Sequence, residues 1–189
     1  MEKKHLPLRI VHSVLLIAAL VFCIVALIKN PTDTTVYGGN PIVIVCDLLN
    51  IVTLAFGAVY IAMGYEKRAA IFYKMFMAAL TVAAVFQVAL LMTNVILPFS
   101  LALLYLVALV MTTILAVSQD LGKTDTYIVV TVLVLCRCVL LISMLSSLSF
   151  FGTSVIGVLS ASIASLLTAI TAGLAVCGKY LDKAERGAK

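Results

Sequence analysis

From Ala70 to Ser118 the chain carries one charged residue, Lys74. A transmembrane helix needs about 20 apolar residues to cross a hydrocarbon core of about 30 Å. This stretch is far too long for one crossing, and only Thr93, Asn94 and Pro98 interrupt it. A tight hairpin between two spans is therefore forced. A soluble globule is excluded by composition, because only 11% of the residues are charged and 64% are hydrophobic, whereas a water-facing domain carries about 25% charged residues. Strands of a membrane barrel would alternate apolar and polar residues, and these runs do not. Helices satisfy their own backbone in lipid, so the expected fold is an all-α integral membrane protein.

The same reading extends along the chain. Six spans are expected, at roughly 8–29, 42–64, 70–93, 97–118, 126–147 and 154–178. They form a single transmembrane domain over 1–189, a compact six-helix bundle ending in a short basic tail over 179–189. Pro41 and Pro98 open the second and fourth spans, where a missing N–H costs nothing. The intervening breaks, such as "NPTDTTVYGGNP" (30–41) and "QDLGKTD" (119–125), have turn chemistry.

Charge placement sets the orientation. Of 13 Lys and Arg residues, all but Lys29 and Arg137 fall on the side of the N-terminus. The positive-inside rule then makes both termini cytoplasmic. The net charge of +5 follows from this asymmetry. Because the charges lie in short clusters between spans, no nucleic-acid partner is expected. The first apolar run is too long for the 7–15 residues of a signal h-region and no small-residue cleavage site follows, so an uncleaved first span is expected. The short cytoplasmic loops and compact size suggest a bacterial plasma membrane.

The five cysteines (Cys23, Cys46, Cys136, Cys138 and Cys177) lie within spans and show no metal-ligand spacing, so they read as small packing groups. No metal, cofactor or catalytic constellation is expected, and the chain does not read as an enzyme.

Intramembrane ionisable groups are functional candidates by default. Asp47 and Asn50 in the second span, Gln87 in the third and Arg137 in the fifth form the candidate ligand-binding or buried polar cluster. With a rise of about 1.5 Å per residue, Asp47 lies roughly 8 Å, Asn50 roughly 12 Å and Arg137 roughly 15 Å below the outer edge, with Gln87 within about 10 Å of it. Asp47 is the one acid inside any span, so it is expected to pair with Arg137, directly or through one bridging water or ligand. The pair could equally serve only to fix helix register. His12, near the cytoplasmic edge, reads as an ordinary interfacial residue. Tyr65, Tyr73, Tyr127 and Tyr180 read as an aromatic belt.

The last span carries Gly157, Ala161, Ser165, Ala169 and Gly173 at four-residue spacing. Such a stripe lets helices approach closely, and its partner could be another span, a second copy or another protein. Two functions follow. One is a small transporter or substrate-binding membrane subunit, with an outward-facing polar cavity for a small molecule or ion. The other is an assembly, sensor or scaffold subunit that docks a membrane partner through the small-residue stripe. A polar cavity in the outer half would favour the first, and an exposed stripe the second.

Overall fold

The computed structural model describes residues 6–30, 41–93, 99–117, 122–151 and 156–187. Six α-helices account for nearly all of them: α1 (Leu6–Lys29), α2 (Ile42–Ala62), α3 (Ala70–Thr93), α4 (Phe99–Val117), α5 (Lys123–Phe151) and α6 (Ile156–Gly187). No strand occurs among the described residues. Five of the helices, all except α4, are long and apolar enough to cross a membrane. α4 has 19 residues and a length of about 28 Å. The helix starts and ends lie close to the expected spans, with two extensions: α5 continues past 147 and α6 past 178. Pro41 occupies the N-cap of α2, while Pro98 and most of the loop over 30–41 lie outside the described residues.

The side-chain pattern is inverted relative to a water-soluble bundle. On α1 the buried positions are His12, Leu16, Ala19, Cys23 and Ala26, at the 3–4 spacing of one helical face. The opposite face exposes Val14, Ile17, Val21, Ile24 and Ile28. Large branched apolar groups thus point outward and small or polar ones inward, as expected where lipid is the solvent. α5 repeats this with Leu135, Val139 and Ile142 outside and Val130, Leu133, Arg137 and Leu140 inside.

Each helix packs on its sequence neighbour, and α6 closes the ring against α1 while also touching α2. No residue from Gly157 to Tyr180 is exposed. The small-residue stripe explains how this is possible. A four-residue spacing drifts by about 40° per step on a helix of 3.6 residues per turn, so the two ends of the stripe face different neighbours. Gly157 lies against Asn30, at the end of α1, where a Cβ would collide with the Asn30 amide; Gly173 faces Val130 of α5, whose methyl a Cβ would meet at 2.8 Å. Ala169, 1% exposed, is part of the main core. Ala169→Leu should therefore lower stability by about 1–3 kcal/mol through overpacking. A melting curve in mild detergent that matches the parent would show that the contact has slack.

The end of the bundle where α1 begins holds an aromatic cluster. Gly64 and Tyr65 follow α2 in the left-handed region, with φ of 69° and 63°. For tyrosine that conformation costs about 1–2 kcal/mol. Contacts with its ring hold it there. Tyr65 Oη and His12 Nδ1 share a hydrogen bond of 3.0 Å. The two rings stack at 6.0 Å, and Tyr60 meets Tyr65 edge-on at 5.2 Å. Gly178 leaves space for the same ring, since a Cβ there would approach it to 2.6 Å. Burial pushes the Tyr65 phenol up to about 12, so it is neutral at ordinary pH. These positions correct two expectations. His12 is fully buried instead of interfacial, and Tyr65 and Tyr73 belong to the core instead of an aromatic belt. Aromatic residues at a helix end pack inward when a glycine on the facing helix leaves them room.

Candidate functional site

Asp47, Asn50, Gln87 and Arg137 all line one cavity of about 50 Å³. Each is delivered by the face of its helix that also carries core residues. On α2, Val43, Cys46, Asp47, Asn50, Thr53 and Leu54 form the buried stripe. On α3, Gln87 continues the line of Phe76, Leu80, Ala83 and Leu90. On α5, Arg137 lies between Leu133 and Leu140 on the inner face. Ala161 and Ser165, both from the stripe on α6, complete the wall with Ser162.

Among the lining residues that were not anticipated, two hold the charged groups. Asn30 closes the end of α1, and Tyr105 projects from α4. Depth is a signal that could have found Tyr105. It lies about 12 Å from the start of its expected span, close to the levels of Asn50 and Gln87. Asn30 was read as the first residue of a loop, and only its contact with Gly157 reveals it as part of the bundle.

A direct Asp47–Arg137 ion pair is not formed. Asp47 Oδ2 accepts a hydrogen bond of 2.7 Å from Asn30 Nδ2. The guanidinium of Arg137 instead lies over the ring of Tyr105, 5.5 Å from its centroid. Among the described residues Arg137 has no carboxylate partner. The physical reason is that each charge has a nearer claimant on another helix. A charge-assisted hydrogen bond holds the carboxylate, and the face of an aromatic ring attracts the cation, by about 2 kcal/mol or more when desolvated.

The two charged groups are nonetheless deeply buried, with Asp47 2% and Arg137 4% exposed. Gln87 Oε1 and Asn30 Oδ1 are buried without a hydrogen-bond partner. Buried polar groups are normally satisfied, so each exception calls for an explanation. The cavity lining thus combines one carboxylate, one guanidinium, the unpartnered acceptor Gln87 Oε1 and the residues Ser162 and Ser165. Such a lining can hold a small polar solute by direct hydrogen bonds. Comparisons with protein-family models, curated proteins and solved structures find no match to this chain.

Proposed function

We propose that the chain is a six-span protein of the plasma membrane, with both termini in the cytoplasm, that handles a small solute through an outward-facing polar cavity. It acts as a small transporter or as the substrate-binding membrane subunit of one. The observation that carries this reading is the convergence of Asp47, Asn50, Gln87 and Arg137 from three helices on one cavity. Four polar side chains scattered over three apolar helices would not meet if each were merely tolerated by its own span. The alternative, a scaffold subunit docking through the last helix, needs an open small-residue face. On α6 that face is covered by α1, α2 and α5.

Cys46 lines the cavity and provides a native reporter. In a variant whose other cysteines are replaced by alanine, Cd²⁺, small enough for a cavity of about 50 Å³, added to intact cells should bind Cys46 and protect it from later alkylation in denaturant. Cysteines introduced at Thr35, outside the described residues, and at Ser149 should react with a membrane-impermeant methanethiosulfonate from the same side. Cysteines at Lys67 and Lys123 should react only after permeabilisation. Modification of Lys67→Cys in sealed cells would overturn the orientation, and a Cys46 that Cd²⁺ protects only after permeabilisation would overturn the outward-facing cavity.

A further inference from the structure

We infer that the solute is a small zwitterion with a free ammonium group, of the size and type of glycine. This inference rests on the solute-handling role proposed above and specifies its substrate class. Asp47 and Arg137 line the same cavity with opposite charges but do not pair. In a low-dielectric interior, such charges attract strongly over the width of a small cavity. They would close on each other unless something held them apart. Here each is held by another group of the lining: Asp47 by the Asn30 amide and Arg137 by the Tyr105 ring. The gap between them is therefore part of the design of the site.

The chemistry of the gap narrows what fits it. The site as a whole carries one negative and one positive charge, so a solute of zero net charge leaves it neutral. A lone anion or a lone cation would add an uncompensated charge to a desolvated cavity. A zwitterion places its carboxylate on the Arg137 guanidinium, where bidentate hydrogen bonding is available. Its ammonium group is then directed toward Asp47. The acceptor Gln87 Oε1, which lacks a protein donor, calls for an N–H group, and an ammonium supplies three. A fully methylated ammonium supplies none. Size sets the last limit. A cavity of about 50 Å³ has room for a handful of water-sized groups, enough for glycine and too little for a long side chain.

The test is a thermal-shift titration of the full chain in mild detergent, with glycine, acetate, methylammonium and trimethylglycine as probes. Glycine should raise the melting temperature in a saturable way. Acetate and methylammonium should bind about ten-fold or more weakly, as expected when one of two charged contacts is missing. Trimethylglycine should also bind poorly. Gln87→Met keeps both charges and should weaken glycine binding while leaving the acetate response unchanged. Asp47→Asn should abolish the preference for glycine over acetate. Acetate binding as tightly as glycine in the parent protein would overturn the zwitterion and leave an anion-binding cavity. No saturable response to any probe would overturn the zwitterion and the solute cavity together.

Discussion

Asn30→Leu should lower the unfolding free energy of the detergent-solubilised protein by about 2–3 kcal/mol, because it leaves a buried carboxylate without its hydrogen-bond donor. Leucine resembles asparagine in shape, so the contact with Gly157 is largely kept and the loss reports on Asp47. Adding Asp47→Asn to this variant removes the orphaned charge and should recover at least half of the lost stability. The check is a double-mutant cycle on melting free energies, which isolates the pairwise coupling. Additive losses would mean that the 2.7 Å contact between Asn30 and Asp47 contributes nothing in solution.

Arg137→Met should have the opposite sign. A directly paired arginine would leave its carboxylate stranded when removed, with a loss of about 3–5 kcal/mol. Here no carboxylate depends on Arg137, and what is lost is its contact with Tyr105. A central arginine costs about 2.5–3.5 kcal/mol on insertion scales, a burden that methionine removes. The variant should thus be at least as stable as the parent while losing the response to carboxylate ligands. Stability gained together with function lost is the usual signature of a residue retained for its site. A large loss of stability would restore the ion pair to consideration and remove the basis for two separate clamps.

Much of the fold was legible in the sequence because lipid imposes a length on every helix. The expected limits 42–64 and 70–93 fall within two residues of α2 and α3. The polar cluster was legible for a related reason, since a charge in an apolar span must face inward. Its internal connections were not. Opposite charges at similar depth invite pairing, and the sequence offers no sign that Asn30, beyond the end of an apolar run, reaches Asp47 first. Tyr105 was hidden because an aromatic residue among Leu and Val reads as packing material. His12 was misread because its burial depends on Tyr65, 53 residues away, and on the left-handed turn that brings that ring back over α1. Span length is a local property of the chain, whereas these partnerships depend on tertiary contacts.

The closure of α6 against α1 also has a consequence for the order of assembly. Helices enter the bilayer in the order in which they are made, yet the first helix has its main partner in the last. Until α6 arrives, the inner face of α1, with Ala19, Cys23 and Ala26, lacks its main packing partner and has α2 alone beside it. Asn30 likewise lacks Gly157, the residue against which its amide is held. The carboxylate of Asp47 and the guanidinium of Arg137 therefore enter the membrane before their cavity is complete. Assembly of the site is thus delayed to the end of synthesis, and a chain that stalls before α6 leaves the cavity without its wall of Ala161, Ser162 and Ser165.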